Sequence, residues 1–134
     1  MSELRQRPGD QQLPVPNDRE HIHDIVAREL SGMGYPDTAK VATDLEARKQ
    51  LGITRYGTPL QAFNNRDSLL DAYEEVLDGT AYLRTRFEEL GAHAGFPPQG
   101  HPDRREWQLV YRLYQDMLGA ACTLAMLMNE RAHG

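Results

Sequence analysis

The sequence predicts an all-α protein with a four-helix-bundle-like architecture. Four separate stretches carry apolar residues at three- and four-residue steps, which is the period of an amphipathic helix. No stretch shows the alternating apolar and polar pattern of a half-buried strand. A chain of 134 residues is long enough for one domain with a hydrophobic core. We therefore expect residues 17–134 to form a single all-helical domain.

The start of the chain differs from the rest in composition. Residues 1–16 hold three prolines and mostly polar side chains, so they bury too little apolar surface to offset the entropy lost on ordering. We expect this segment to be a flexible tail. Asn17 or Asp18 then caps a short first helix, which ends at the glycines Gly32 and Gly34.

The second predicted helix is followed by a long loop. The helix begins near Pro36, because the fixed φ of proline suits a first helical turn, and it ends near Gly52. Residues 52–66 mix glycines, a proline and paired asparagines, which is typical of a loop. Four apolar side chains should hold this loop down, namely Ile53, Tyr56, Leu60 and Phe63.

The third predicted helix has the clearest pattern. Asp67 or Ser68 caps it, and Leu90 is the last residue of its apolar stripe. Residues 91–103 contain three glycines and three prolines, which break the helix. The apolar stripe consists of Leu69, Tyr73, Val76, Thr80, Leu83, Phe87 and Leu90.

The last helix opens at Asp103 and carries a long apolar face. Apolar residues run at helical steps from Trp107 to Met128, over about six turns. One domain of this size does not easily bury the whole face. We therefore expect part of it to form a subunit interface in a homodimer or homotetramer.

Charge and composition exclude several classes of partner. The chain has 15 Lys and Arg against 20 Asp and Glu, a net charge of −5, which is opposite to the basic surface of a nucleic-acid-binding protein. The longest apolar stretch, residues 120–128, is too short to cross a membrane. The charged start lacks a signal core, and the single Cys122 cannot form an intrachain disulfide. These features predict a cytoplasmic protein that binds neither duplex nucleic acid nor membrane.

An acidic ridge runs along the third helix. Asp71, Glu75, Asp78 and Tyr82 fall within one narrow arc, nearly opposite the apolar stripe. Carboxylates at three- and four-residue spacing repel one another, and a divalent cation with hard oxygen ligands, such as Mg²⁺, would reverse that repulsion. The same pattern also suits the solvated face of any amphipathic helix, so periodicity alone leaves both interpretations open.

The sequence of this helix resembles a known enzyme family. Residues 73–78, YEEVLD, followed by AYL at 81–83, resemble the ExxD half of the MazG-like all-α nucleoside triphosphate pyrophosphohydrolases. The preceding segments look like the lead-in found in phage and actinobacterial members of this group, and they comprise LG at 51–52, RYGTPL at 55–60 and NNRD at 64–67. The resemblance covers roughly residues 44–83 and implies a MazG-type helical architecture.

The chain departs from the family in the other acidic motif. Members carry EExxE on an earlier helix, and the nearest segment here is TDLE at residues 43–46, in which only Glu46 matches the last acid. The other two glutamates of the motif are missing. Asp44, with its shorter reach, or Glu29 on the preceding helix are the alternatives for them.

The resemblance implies a metal-dependent hydrolase. Members of the family split a (deoxy)nucleoside triphosphate between its α and β phosphates, which releases the monophosphate and pyrophosphate. By this resemblance Glu75 and Asp78 bind Mg²⁺, with Mn²⁺ as an alternative metal. Glu46 is a third ligand or the base that orients the attacking water. Asp71 and Glu74 are further acids available to the metal.

Substrate binding also requires cations and polar groups near the acids. Arg55 and Arg66 are the leading phosphate ligands, because a guanidinium makes bidentate contacts with phosphate, although each arginine also suits a merely solvated surface. The full predicted substrate-binding set is Arg48, Lys49, Arg55, Tyr56, Asn64, Arg66 and Tyr82. Within it, Tyr56 stacks on a base or anchors the loop, and Asn64 reads a base edge or makes a turn.

A second functional class is compatible with the same residues. A non-catalytic helical-bundle interaction protein, such as a degenerate relative of the family, would keep the helices and lack the first acidic motif. The two hypotheses differ in what Glu75 and Asp78 do. An enzyme requires both carboxylates, whereas an interaction protein tolerates their amides.

Overall fold

The computed structural model describes residues 11–91 and 97–134. Over these residues the chain forms four α-helices and no strand, so the predicted all-α class is confirmed. In the same residues, no helix has the length and apolar character that crossing a membrane requires. Residues 1–10, the larger part of the predicted tail, lie outside the described ranges. The helices are α1 (Ile22–Leu30), α2 (Thr38–Tyr56), α3 (Ser68–Leu90) and α4 (Asp103–His133).

The chain divides after Arg66 into two compact units. The first unit contains α1 and α2, which pack against each other. Lys49 of α2 reaches across to α1, where its Nζ lies 3.0 Å from both carboxylate oxygens of Asp24. The Lys49 side chain is only 13% exposed, so water screens this ion pair less than it screens a surface pair.

Both helices of the first unit differ from their predicted limits. α1 begins at Ile22, after His21 in an extended conformation, because Asn17 bonds a distant loop instead of capping a helix. α2 continues one turn beyond Gly52 and stops at Gly57. The Gly57 φ of +78° lies in the left-handed region that favours glycine after a helix. A glycine inside a helix costs only about 1 kcal/mol relative to alanine, so Gly52 does not end α2.

An extended segment before α1 lies alongside the loop after α2. The backbone N–H of Val15 donates to the carbonyl of Asn64 at 2.9 Å, and that of Ile22 donates to the carbonyl of Leu60 at 2.9 Å. Between them His21 and Gln61 form an isolated antiparallel bridge. Residues 12–22 are therefore hydrogen-bonded to the loop at residues 60–66.

The second unit is an antiparallel pair formed by α3 and α4. The two helices run in opposite directions, because in the contacts between them residues of increasing number in α3 lie beside residues of decreasing number in α4. These contacts link Asp67 to Arg131, Gly79 to Met117, and Arg86 to Glu106. Leu90, Val110 and Ala121 are buried.

Ion pairs lie near both ends of this helix pair. The Asp67 carboxylate accepts a hydrogen bond from the Leu70 N–H at 3.2 Å, which confirms the predicted cap of α3. The same carboxylate accepts two bonds from Arg131, at 2.8 and 3.1 Å. Near the other end, Arg86 Nε donates to Glu106 at 2.7 Å. The bidentate contact with Arg131 holds the pKa of Asp67 below its usual value.

Aromatic rings pack where α3 ends and α4 begins. The Phe87 ring stacks on Trp107 with centroids 5.4 Å apart and contacts Tyr111 at 4.9 Å. The Arg84 guanidinium lies 4.9 Å from the Phe87 centroid. This cluster forms the most apolar part of the α3 and α4 contact, and it agrees with the predicted positions of Phe87 and Trp107 in the two apolar stripes.

The long apolar face of α4 is only partly covered. Val110 and Ala121 are buried. Leu109 and Tyr111, which flank Val110 in the sequence, are exposed and lie on either side of it around the helix. Cys122 is also exposed, although its place in the stripe suggests a buried thiol. The exposed large apolar residues of α4 are Leu109, Tyr111, Leu113, Leu118, Met126 and Leu127.

The Asp67 pair predicts an acid-sensitive part of the stability. Because the folded-state pKa of Asp67 is lowered, its ionised form stabilises the fold above about pH 4, and this contribution is lost as the pH falls through the folded-state pKa. We expect Asp67→Asn, which keeps a capping oxygen, to lower the free energy of unfolding more at pH 7 than at pH 2. Urea unfolding at both pH values measures the difference.

Asp67→Ala serves as the companion variant. It removes the cap as well as the ion pair, so it should cost about 1 kcal/mol more than Asp67→Asn at pH 7. An Asp67→Asn variant whose deficit stays the same at pH 2 would contradict a role for the ionised carboxylate.

Candidate functional site

The acidic ridge of α3 lies beside the contact with α4. A Cβ atom on Gly79 would come within 2.6 Å of Met117 Cε, so this side of α3 faces α4. Successive residues of a helix turn by about 100°, which places Asp78 roughly a quarter turn from Gly79 and Glu75, four residues before Gly79, only about 40° from it. Glu75 is exposed, while Asp71 and Asp78 are half-buried. The ridge therefore remains accessible while α3 is held by α4.

The other two predicted residues of α3 differ in position. Tyr82 lies on the same ridge, one turn beyond Asp78, and is 65% exposed. Glu74 is half-buried and lies about 100° from Glu75, but it is four residues before Asp78 and three after Asp71. Tyr82 thus lies on the ridge, and Glu74 lies at its edge, next to Asp71 and Asp78.

Glu46 belongs to the first unit, whereas Glu75 and Asp78 belong to the second. Glu46 is exposed on α2 and accepts a hydrogen bond from Gln50 Nε2 at 2.9 Å. Asp44, one alternative for the missing acids, is paired with Lys40 at 2.7 Å. That bond raises the pKa of Lys40. Glu46 is thus the acid of α2 whose partner is neutral.

The described residues of each unit contain no group of three or more His, Cys, Asp or Glu side chains that could hold a metal ion. Magnesium, however, usually keeps several waters and binds through one or two carboxylates together with substrate phosphates. Glu75 and Asp78 are three residues apart, so their side chains lie on neighbouring turns of one side of α3. Their hard oxygen donors fit that type of site.

The predicted cations divide into two groups. Arg48 and Arg55 are seven residues apart on α2, so they share one side of the helix, and both are exposed. Glu46 is nine residues from Arg55 and lies on the opposite side of α2. Lys49 is engaged with Asp24. The structure therefore brings Arg48 and Arg55 together and separates them from Glu46.

The remaining predicted binding residues hold the loop after α2. Arg66 Nη1 donates to the carbonyl of Gln12 at 2.7 Å. Asn64 is buried, and its side-chain oxygen accepts the Arg66 N–H at 3.1 Å, which is a turn contact. Tyr56 is half-buried in the last turn of α2, not in the loop. Asn64 thus makes the turn, the second of its two predicted roles.

A buried amide is the main anchor of this loop. Gln61 is 5% exposed, and its Nε2 donates to the carbonyls of Asn17 at 2.8 Å and Arg19 at 2.7 Å. Its side-chain oxygen accepts the Asn17 N–H at 3.1 Å. The prediction that Leu60 and Phe63 anchor the loop is wrong, because Leu60 is 46% and Phe63 is 79% exposed. Polar contacts with residues 12–19 take their place.

Sequence reasoning also missed Arg19. Its guanidinium lies over the Phe63 ring, with Cζ 4.2 Å from the ring centroid. The two residues are 44 positions apart in the chain, so no local pattern pairs them. Only the hydrogen bonds between residues 12–22 and the loop bring them together.

Comparisons of the chain with models of protein families, with curated proteins and with solved structures find no match. The resemblance to MazG-like enzymes accordingly stays a prediction from residues 44–83.

Gln61 provides a test of the loop anchor. Gln61→Leu leaves the carbonyls of Asn17 and Arg19 and the N–H of Asn17 without their partner, so we expect it to lower the free energy of unfolding by about 1–3 kcal/mol. Gln115→Leu, the same change at an exposed position of α4, should be nearly neutral. Thermal and urea unfolding of both variants measure the effect. Equal stabilities would contradict the anchoring role.

Proposed function

We propose that the protein is a magnesium-dependent pyrophosphohydrolase that converts a (deoxy)nucleoside triphosphate to the monophosphate and pyrophosphate. The observation that carries the proposal is the placement of Glu75 and Asp78 on neighbouring turns of α3, where Glu75 is exposed and Asp78 is half-buried. The resemblance of this segment to the ExxD motif supports the same assignment. Manganese is the alternative metal.

Each group has a definite chemical task in this reaction. Glu75 and Asp78 would hold Mg²⁺ through their carboxylate oxygens. When bound, the ion would supply neutralisation of phosphate charge and a water of lowered pKa. Asp71, one turn before Glu75 on the same ridge, adds negative potential that attracts the cation. The carboxylates thus provide a cation site, and the substrate completes it.

Arg48 and Arg55 form a candidate phosphate-binding pair within the first unit. They share one side of α2, are exposed, and present two guanidinium groups that form bidentate contacts with phosphate. Lys49 has a structural role instead, because it is paired with Asp24. The assignment of Glu46 as third ligand or base has less support, since it lies on the other side of α2 from Arg55.

A second candidate function is supported by a different observation. Exposed apolar side chains lie on both sides of the α4 surface that contacts α3, including Leu109 on one side and Tyr111 on the other. Large exposed apolar patches indicate protein interaction sites. A non-catalytic interaction protein would use these surfaces, and so would a homodimer or homotetramer of the enzyme.

The enzyme hypothesis predicts loss of activity without loss of fold. We expect Glu75→Gln and Asp78→Asn each to lower pyrophosphate release by at least about 100-fold, because an amide is a weaker ligand for a hard cation. Glu88→Gln, on another side of α3, should retain activity, since it removes only a surface ion pair with Arg84. Pyrophosphate release from a panel of NTPs and dNTPs with Mg²⁺ measures activity, and circular dichroism checks the helices.

Two outcomes of the activity measurement would contradict the proposal. If the wild-type protein releases no pyrophosphate from any nucleotide with Mg²⁺ or Mn²⁺, the enzyme proposal is wrong and the interaction protein is favoured. Activity that survives both substitutions would remove Glu75 and Asp78 from the site.

The exposed face of α4 predicts self-association. We expect light scattering at micromolar concentration to give two or four times the chain mass of 15.2 kDa. Leu109→Glu or Leu118→Glu should lower that mass, because a charge buried in an apolar interface is costly. Gln108→Glu adds the same charge on the side of α4 away from α3 and should leave the mass unchanged. A monomeric wild-type protein would contradict the prediction.

A further inference from the structure

Phe63 is presented to solvent by a conformation that its side chain does not favour. It is 79% exposed, more than any other large apolar residue described. Its φ of +57° lies in the left-handed region, where the Cβ of a bulky residue crowds the backbone. Glycine or asparagine suits this position better. A phenylalanine here gains little from packing, so its exposure requires another explanation.

The backbone around Phe63 is held firmly by the segment before α1. Asn17 Nδ2 donates to the carbonyls of Ala62 at 2.9 Å and Phe63 at 3.1 Å. Gln61 and Asn64, on either side, are buried and hydrogen-bonded. The ring therefore projects from a loop that is already ordered, and a ligand that binds it would lose little loop entropy.

Arg19 adds positive charge to this aromatic surface. Its Cζ lies 4.2 Å from the Phe63 centroid, so the guanidinium covers one side of the ring while most of the side chain remains exposed. A ring beside a guanidinium suits a ligand that is flat, aromatic and anionic. A nucleotide has these properties, because its base stacks on an aromatic ring and its phosphates attract arginine.

We propose that Phe63 and Arg19 form a stacking platform for a nucleotide base within the first unit. This inference rests on the proposed function for the chemical class of its ligand. Stacking depends on the face of the base and not on its hydrogen-bonding edge, so the platform should accept both purines and pyrimidines.

The test compares a nucleotide with a ligand that lacks the base. We expect Phe63→Asn to weaken binding of α,β-methylene dATP by roughly 10-fold and to leave binding of inorganic tripolyphosphate unchanged, both measured by calorimetry with Mg²⁺. Phe63→Tyr should bind like the wild type. Tyr35→Asn, at another exposed aromatic residue of the first unit, is the matched control and should change neither affinity.

A structural role for Phe63 predicts a different result. Asparagine tolerates a left-handed φ, so Phe63→Asn should not lower the melting temperature. A variant that loses nucleotide affinity only because its loop unfolds would lose thermal stability as well, and that result would overturn the platform. A fall in oligomer mass with unchanged nucleotide binding would identify Phe63 as a protein contact and would also overturn it.

The stacking platform and the proposed enzymatic activity are tested by different measurements, so one can be contradicted without the other. If Phe63→Asn binds the nucleotide as tightly as the wild type while Glu75→Gln abolishes pyrophosphate release, the platform is wrong and the proposed function stands. If the wild type releases no pyrophosphate, the fluorescence of the Phe63→Trp variant still tests whether a base stacks on residue 63. Quenching of its fluorescence by dATP, beyond that of the wild type with Trp107 alone, would support stacking, and no added quenching would overturn it.

Discussion

The pairing of α3 with α4 is the contact on which the second unit depends, and charged side chains specify its register. Asp67 binds Arg131 near one end, and Arg86 binds Glu106 near the other. Exposed ion pairs contribute little free energy, but a shift of one helical turn would separate both pairs at once. The register also places Gly79 against Met117 and leaves Glu75 exposed.

Among residues 11–66, the buried side chains of the first unit are polar, namely Thr58, Gln61 and Asn64. Gln61 satisfies its amide with three backbone partners from residues 17–19, at the point where an apolar anchor is expected. Such bonds are directional, so they fix the backbone of the loop more closely than apolar contacts would. Phe63 can then remain outside, in a conformation that hydrogen bonds from Asn17 maintain. The same contacts bring Arg19 to the ring.

Several elements are predictable from the chain because their causes are local. Asp67 caps α3 through a hydrogen bond to a residue three positions later, and such bonds depend only on the nearby sequence. The start of α4 at Asp103 follows from the prolines and glycines before it. The acidic ridge is likewise a matter of helical period. Glu75 and Asp78 must lie on one side of α3 wherever that helix packs.

What the sequence determined by itself is therefore the helical class, the cap of α3 and the faces of single helices. The tertiary structure alone decided that α2 continues past Gly52, that Lys49 is engaged by Asp24, and that Phe63 is exposed beside Arg19. Helical period and capping act within a few residues, so they can be read along the chain. Which side of a helix is covered, and which charge has a partner, depends on residues that only folding brings within bonding distance.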